Sequence, residues 1–162
     1  MLVMSALLLG IPSTFAKPRS SEPLGRWVTV TIHRLKEISN LDKDFPRKDQ
    51  ADFFAQIWIA GKATNTRVMS KDDGWPNWRV RGWVPGNTTK IKIRIMDDDG
   101  GMEEDDDHVD VAPRIGDKDL DLTFNAKTGR VTGDVRGRRN QRIHARGGGE
   151  DSDKAEIWFS IR

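Results

Sequence analysis

The sequence predicts an all-β fold, an antiparallel β-sandwich of eight strands. Short runs in which apolar and polar residues alternate recur along the chain, and segments rich in Gly, Pro, Asn and Asp separate them. Short strands at regular spacing, with turn residues between them, are typical of a sandwich. No stretch combines a helical period with capping residues, so no helix is expected.

The alternation is clearest in residues 89–96, where Ile91, Ile93 and Ile95 alternate with basic residues. Successive side chains of a strand point to opposite faces, so these three Ile are predicted to face the core. The eight predicted strands are residues 27–33, 52–59, 64–70, 78–84, 89–96, 120–124, 130–132 and 155–161. Residues 133–153, rich in Gly and Arg, are predicted to form an irregular excursion.

The composition narrows the function classes. A chain of 162 residues suggests one folded domain. It contains no Cys, which excludes disulfides, thiolate metal sites and Cys nucleophiles. A nucleophile elbow, a phosphate-binding glycine loop and a paired-His zinc motif are also absent, so the protein is predicted not to be an enzyme.

The N-terminus has the pattern of an export signal. Residues 2–11 are apolar, Pro12 follows them, and Thr14 and Ala16 are small residues at the positions that a signal peptidase recognises. The apolar run is too short to span a membrane. We therefore expect a signal peptide over residues 1–16, a linker over 17–25 and a folded domain over 26–162. The protein is then predicted to be secreted or periplasmic. The alternative is that residues 1–16 form a buried N-terminal segment of the domain.

An acidic stretch follows the predicted strand that contains Ile95. Nine of the fourteen residues in 97–110 are Asp or Glu, and none is Lys or Arg. Carboxylates this dense repel one another, and a bound cation would relieve the repulsion. Calcium prefers six to eight oxygen ligands and is the first candidate; a solvated acidic loop with loose counterions is the alternative.

One loop rarely supplies a full shell of oxygen ligands. Asp97 and Asp99 point to the same side as they leave the strand, and Gly100 and Gly101 allow the loop to return Asp105 to them. A second loop, residues 36–52, offers further carboxylates. They are Asp42, Asp44, Asp49 and Asp52. The remaining acidic residues of the stretch are predicted to be outer or solvated charges; they include Asp107 and Asp110.

Four segments in order resemble the C2 domain, the calcium-dependent phospholipid-binding β-sandwich. Residues 52–57 resemble the Asp-Pro-Tyr-Val-Lys-Val segment that closes the first calcium loop of that family. Residues 66–68 and 74–78 resemble its Thr-Lys-Val and Asn-Pro-x-Trp pair. Residues 93–99 resemble the strand and Asp-x-Asp that open the third loop, and Asp105 stands where the family places its next ligand.

The resemblance implies a Greek-key sandwich whose calcium-binding loops lie at one end. Asp52, Asp97, Asp99 and Asp105 would be ligands of Ca²⁺, together with one Asp of the first loop, Asp42 or preferably Asp44. Asp106 joins the set because the run of three Asp allows the register to shift by one. The first loop is longer than in the family and lacks its Gly-x-Ser-Asp-Pro sequence.

The resemblance also implies a monomeric module that binds an anionic phospholipid surface, or a protein partner, when calcium is bound. Phe45, Trp75 and Met102 lie in the middle of the three loops and would enter the membrane interface. For Trp75, packing against the edge of its own sandwich is the alternative. For Met102 the alternative is a simple exposed loop residue.

A basic cluster near the C-terminus is a candidate anion-binding site. It consists of Arg136, Arg138, Arg139 and Arg142. Anionic lipid and polyanionic saccharide are possible ligands, whereas export disfavours nucleic acid; a solvated face is the alternative.

Two further functions of the whole protein stay open. One is a structural or inhibitory domain that calcium stabilises without lipid binding. The other is a metal-dependent hydrolase that uses His108, although this His is predicted to be a loop residue whose pKa its acidic neighbours raise.

Overall fold

A computed structural model describes residues 25–39, 51–98, 107–149 and 153–162. The described residues contain no helix that is long and apolar enough to cross a membrane. Their strands are β1 (Gly25–Glu37), β2 (Asp52–Ile59), β3 (Lys62–Asn65), β4 (Met69–Ser70), β5 (Asp73–Gly74), β6 (Trp78–Pro85), β7 (Thr88–Asp97), β8 (Asp107–Val109), β9 (Leu120–Asn125), β10 (Arg130–Gly133), β11 (Gly137–Arg138), β12 (Ile143–Arg146) and β13 (Ala155–Ile161).

These strands form two sheets. In the first sheet the order is β12-β13-β1-β5, and β6 also pairs with β1. In the second sheet the order is β11-β10-β9-β7-β2-β3, with β4 paired to β2 and β8 paired to β7. Every strand pair is antiparallel. The all-β class predicted from the sequence is confirmed.

The core lies between the two sheets and is built from alternate residues of their strands. Ile91, Ile93 and Ile95 of β7 are buried, as their alternation predicts. Val28 and Val30 of β1 face them from the first sheet and are buried as well. Full burial of each large aliphatic side chain contributes roughly 1.5–3 kcal/mol, so this pattern holds the sheets together.

A bulge in β1 changes which residues face the core. The pairing of β1 with β13 joins Ile32 to Phe159 but Arg34 to Trp158, which leaves His33 as the extra residue. Before the bulge the even-numbered residues are buried, and after it Leu35 is buried instead. The bulge therefore turns both His33 and Arg34 away from the core. Bulges commonly change the direction of side chains in this way.

Seven of the eight predicted strands are present, and two expectations were wrong. Residues 64–70 do not form one strand, since β3 and β4 are separate there. The excursion predicted for residues 133–153 contains β11 and β12, and β12 pairs with β13. Ile143 and Ala145 of β12 are buried. Only these two apolar residues mark that strand, so the surrounding Arg and Gly concealed it.

Candidate metal site at one end of the sandwich

One end of the sandwich gathers the chain segments around β1, β2, β5 and β7. The backbone N–H of Ala51 donates to Oδ1 of Asp72 at 3.0 Å, and the N–H of Glu37 donates to the Asp72 carbonyl at 2.6 Å. The N–H of Asp98 donates to the carbonyl of Asp52 at 3.0 Å. Residues 40–50 and 99–106, which belong to the predicted calcium loops, therefore leave and rejoin the described structure at this end.

Asp52 and Asp97 lie side by side at the same end. The pairing of β2 with β7 places Phe53 opposite Asp97, and the N–H of Asp52 donates to Oδ1 of Asp97 at 2.6 Å. Asp97 is only 3% exposed. The start of β2 and the end of β7 thus each carry one Asp, and the backbone of the first binds the carboxylate of the second.

Asp52 shows that this region is suited to a cation. Its Oδ1 atom is buried and accepts no hydrogen bond from the described residues. A buried carboxylate oxygen without a partner is costly in free energy, and a hard cation is a natural partner for it. The donor set of Asp52 and Asp97 consists of the oxygen atoms that calcium prefers.

The other predicted ligands lie outside the described residues, so the structure does not position them. They are Asp44, Asp99, Asp105 and Asp106. The same holds for the predicted docking residues Phe45 and Met102 and for the predicted signal peptide. Within the described part of the chain, no group of three or more His, Cys, Asp or Glu could hold a metal ion. The full ligand set therefore stays a prediction.

Trp75 is exposed beside this end. Its side chain is 57% exposed, and the guanidinium groups of Arg34 and Arg142 lie 5.4 and 5.6 Å from its ring centroid. Asp73 fixes Arg34 through two hydrogen bonds of 2.8 and 2.5 Å. Trp75 is thus accessible, as membrane insertion requires, while its contact with lipid stays a prediction.

Asp110 is structural, which the sequence did not reveal. It is buried, and its two carboxylate oxygens accept hydrogen bonds from the backbone N–H groups of Ala112 at 2.9 Å and Gly149 at 2.8 Å. The expectation of an outer or solvated charge was therefore wrong for this residue. Its carboxylate instead connects the segment after β8 to the segment after β12.

His108 belongs to a second polar cluster, on the outer face of the second sheet. Its Nε2 lies 2.8 Å from Oδ1 of Asp119, which also accepts two hydrogen bonds from Arg94 and one from Lys92. Burial lowers the pKa of His108, and the Asp119 carboxylate only partly opposes this effect. The predicted upward shift was wrong, because β8 turns His108 away from the acidic loop.

Asp119 is the member of this cluster that sequence reasoning missed. Burial raises its pKa, but the hydrogen bonds from Arg94 and Lys92 outweigh burial and leave the pKa lowered. In the sequence it is one Asp among several in residues 117–121, with nothing to distinguish it. Its importance arises from register, since Ile93 pairs with Leu120 and thereby brings Arg94 to Asp119.

The predicted anion-binding arginines do not form one cluster. Arg136 and Arg138 border a shallow depression on the second sheet with Arg130, whereas Arg142 lies against Trp75 beside the first. Asn140, between the two strands concerned, has a φ of 63°, and this left-handed turn carries the chain from one sheet to the other.

Arg139 is engaged elsewhere. It donates from Nη2 to the carbonyl of Ala126, and its guanidinium lies 5.7 Å from the ring centroid of Phe124. The anion-binding role of all four arginines stays a prediction.

Comparison with known proteins identifies the fold. The chain is similar to the calcium-bound pair of C2 domains of Extended-Synaptotagmin 2 (TM-score 0.56, 11% identity), over 87% of this chain and 46% of that one. It is similar to a C2 domain of plant Extended Synaptotagmin 1 (TM-score 0.51, 14% identity), over 87% of this chain and 96% of that one. A further solved C2 domain matches at TM-score 0.50 and 9% identity, over 83% and 96% of the two chains.

The chain thus spans nearly the full length of isolated C2 domains and about half of the two-domain structure. It spans only 16% of the human GIVD cytosolic phospholipase A2 chain, matched at TM-score 0.49 and 10% identity over 83% of this chain. No protein-family model and no curated protein matches the sequence. The protein therefore has the C2 fold, as the four sequence segments predicted.

Proposed function

We propose that this protein is an exported, non-enzymatic module that binds calcium at the Asp52 and Asp97 end of its sandwich and then docks on anionic phospholipid. The observation that carries the proposal is the buried Oδ1 of Asp52, which has no hydrogen-bond partner among the described residues, on the residue whose backbone N–H bonds the Asp97 carboxylate. The C2 fold supports it, because one of the similar structures contains bound calcium.

The proposed site combines two loops. Asp52 and Asp97 provide the described carboxylates, and Asp44, Asp99, Asp105 and Asp106 would bring the number of oxygen ligands toward the six to eight that calcium prefers. A bound calcium ion supplies positive charge that offsets these carboxylates and can also accept phosphate oxygens from a lipid. Asp52 at the start of β2 and Asp97 at the end of β7 would be the described residues that hold the ion.

Trp75 would add an apolar contact with the membrane. It is already 57% exposed at this end of the sandwich. Tryptophan favours the interface between the headgroups and the acyl chains. Phe45 and Met102 would contribute in the same way from the two calcium loops, and full burial of such a side chain contributes roughly 1.5–3 kcal/mol.

The test is thermal melting of the purified protein in calcium and in EGTA, together with sedimentation on phosphatidylserine-containing vesicles. The variants are Asp52→Asn and Asp97→Asn. The second is informative because the Asn Oδ1 can still accept the hydrogen bond from the Asp52 N–H while the charge is removed. The control is Asp121→Asn, an exposed carboxylate on the strand next to β7.

We expect calcium to raise the melting temperature of the wild type and of Asp121→Asn, since calcium binds the native state preferentially. Both site variants should lose this stabilisation and the calcium-dependent sedimentation. A wild-type melting temperature that is equal in calcium and EGTA would exclude the metal site. Calcium stabilisation without vesicle binding would exclude lipid docking and favour a protein partner or a purely structural ion.

A further inference from the structure

The outer face of the first sheet carries an unusual series of side chains along β1 and β6. Trp27 pairs with Trp83, and two residues further along β1, Thr29 pairs with Arg81. Directly paired residues of antiparallel strands share a face. Because the intervening Val28 is buried in the core, these side chains point away from the core.

The two tryptophans are exposed although they are adjacent. Trp27 is 53% exposed and Trp83 is 45% exposed, with ring centroids 5.6 Å apart at 72°. The guanidinium of Arg81 lies 4.4 Å from the Trp27 centroid and holds that ring in place. A contiguous exposed aromatic patch with a polar border is typical of a binding surface.

The middle of the same face carries unbalanced positive charge. Arg34 pairs with Asp73, and Arg146 pairs with Glu156. Among the described residues, by contrast, no carboxylate forms an ion pair with Arg79, Arg81 or Arg142. The arginines in this part of the face can therefore bind anionic groups of a ligand.

The pKa of His33 is consistent with this positive charge, because it is lowered first by burial and then by Arg142 and Arg79. Arg79 of β6 and Arg142, which directly precedes β12, thus both act on one residue of β1. Like charges brought together in this way repel one another in the free protein, and an anion bound between them would relieve the repulsion.

Hydroxyl side chains lie between the arginines and the tryptophans. Thr31 pairs with Arg79 on one side and with Ser160 on the other, so all three share the outer face. The Ser160 hydroxyl lies 2.8 Å from Nε2 of His33. Thr31 itself is buried, whereas the partly exposed hydroxyls of Thr29 and Ser160 can exchange hydrogen bonds with the neutral hydroxyls of a ligand.

A second aromatic group stands at the far end of β1. The guanidinium of Arg34 lies 4.8 Å from the Trp158 centroid, and His144 stacks on the same ring at 4.7 Å and 19°. Arg34 lies seven positions after Trp27 along β1, which is roughly 23 Å at about 3.3 Å per residue. A ligand that contacts both ends must therefore be elongated.

We propose that this outer face binds a linear acidic polysaccharide, a chain of uronic-acid or sulfated sugars lying along β1. The arginines form charge-assisted hydrogen bonds with its carboxylate or sulfate groups. The exposed indole rings pack against the apolar faces of its sugar rings, and Thr29 and Ser160 form hydrogen bonds with its hydroxyls. Single-stranded DNA also binds proteins through its charge and through base stacking. Its sugar rings, however, lack the repeated hydroxyls with which these side chains would form hydrogen bonds.

The test uses the purified protein in EDTA, so that the calcium site plays no part and its failure cannot affect the result. Binding to sodium polygalacturonate is measured by affinity electrophoresis and isothermal titration calorimetry, with neutral dextran and an oligothymidylate for comparison. The variants are Trp27→Ala and Arg79→Gln, both at exposed positions. The control is Arg114→Gln, an exposed arginine outside this face.

We expect polygalacturonate to bind while dextran does not, and oligothymidylate to bind more weakly at equal ionic strength. Trp27→Ala and Arg79→Gln should each weaken polygalacturonate binding by about ten-fold with unchanged melting temperature, and Arg114→Gln should have no effect. Absence of polygalacturonate binding, or binding that Trp27→Ala does not weaken, would overturn the proposal. Tighter binding of oligothymidylate with the same variant sensitivity would overturn it in favour of nucleic acid.

Discussion

The backbone N–H of Asp52 donates a hydrogen bond of 2.6 Å to Oδ1 of Asp97 and thereby ties the first residue of β2 to the last residue of β7. The ladder between the two strands places the neighbouring Phe53 opposite Asp97. The charge of Asp97 is therefore held against the backbone at the start of β2, where a bound cation would offset it.

The first prediction separates the hydrogen bond of Asp97 from its charge. Asp97→Asn keeps an acceptor for the Asp52 N–H, whereas Asp97→Ala leaves that donor without a partner. In EGTA we expect Asp97→Ala to be less stable than Asp97→Asn by about 1–3 kcal/mol, the usual cost of an unsatisfied buried donor. Urea denaturation followed by Trp fluorescence measures the difference.

Equal stabilities of the two variants would show that water satisfies the Asp52 N–H when the side chain is removed. Asp121→Ala is the matched control, since its carboxylate is exposed and its loss should change the stability by only a few tenths of a kcal/mol.

The second prediction concerns Asp119, which neutralises Arg94 and Lys92 on the outer face of the second sheet. Asp119→Asn removes the carboxylate that pairs with Arg94 and leaves Lys92 only its longer ion pair with the exposed Asp121, at 3.5 Å. Because both cationic side chains are about one third exposed, solvent screens them, and we expect a loss of about 1–2 kcal/mol at pH 7. Urea denaturation of the two proteins measures it.

The pH dependence of this difference has a definite sign. The pKa of Asp119 is lowered in the folded protein, because the bonds from Arg94 and Lys92 outweigh burial. Its stabilisation is thus fully present above the unfolded pKa of about 3.9 and is lost as the pH falls below that value. The gap between wild type and Asp119→Asn should therefore close near pH 3; a gap that is constant with pH would contradict the role of the charge.

The sequence predicts best where one strand repeats a simple alternation. Ile91, Ile93 and Ile95 are buried as expected because every second residue of β7 meets the other sheet. The residues around Asp52 and Asp97 were placed together because their strands and the family motifs agree. Patterns of this kind can be read from the sequence, because the two-residue alternation of a strand is a property of its backbone and does not depend on distant contacts.

The sequence fails where distant register decides the outcome. Asp110 and Asp119 resemble solvated acids until the fold brings backbone N–H groups to one and Arg94 to the other. Arg138 and Arg142 are four residues apart, yet the left-handed turn at Asn140 sends them to different sheets. The outer face of the first sheet is equally non-local, because the sheet is assembled from five separate strands.

The third prediction concerns a close contact between the two sheets, at Gly82. A Cβ atom built on Gly82 would lie 2.7 Å from the Cβ of Ile59 on the opposite sheet. Gly82→Ala should therefore destabilise the protein by about 1–3 kcal/mol, the usual cost of overpacking a core. The cost should be smaller in an Ile59→Ala background, where the conflicting side chain is shortened.

A double-mutant cycle of Gly82→Ala and Ile59→Ala, measured by urea denaturation, checks this contact. Contacting residues show coupling free energies of about 0.5–3 kcal/mol, whereas distant ones are additive within about 0.5 kcal/mol. Additive effects would mean that the sheets separate freely at this point.

The fourth prediction concerns the bulge residue His33. Its pKa is lowered in the folded protein, first by burial and then by Arg142 and Arg79. Below the unfolded pKa of about 6.5 the unfolded chain therefore binds a proton at this His that the folded protein does not, so stability falls as the pH is lowered through this value. Arg79→Gln removes one of the two cations, and the pKa of His33 should move back toward 6.5.

NMR titration of the His33 ring protons measures the pKa directly and separates it from the other two His. A raised pKa in Arg79→Gln, with a shallower loss of stability between pH 6.5 and 5, is the expected result. Arg114→Gln should leave both unchanged because Arg114 pairs with Asp117 and Asp134, away from the bulge. If Arg79→Gln shifts neither the pKa nor the slope, the charge of Arg79 does not reach His33, and the positive centre of the outer face is weaker than its geometry indicates.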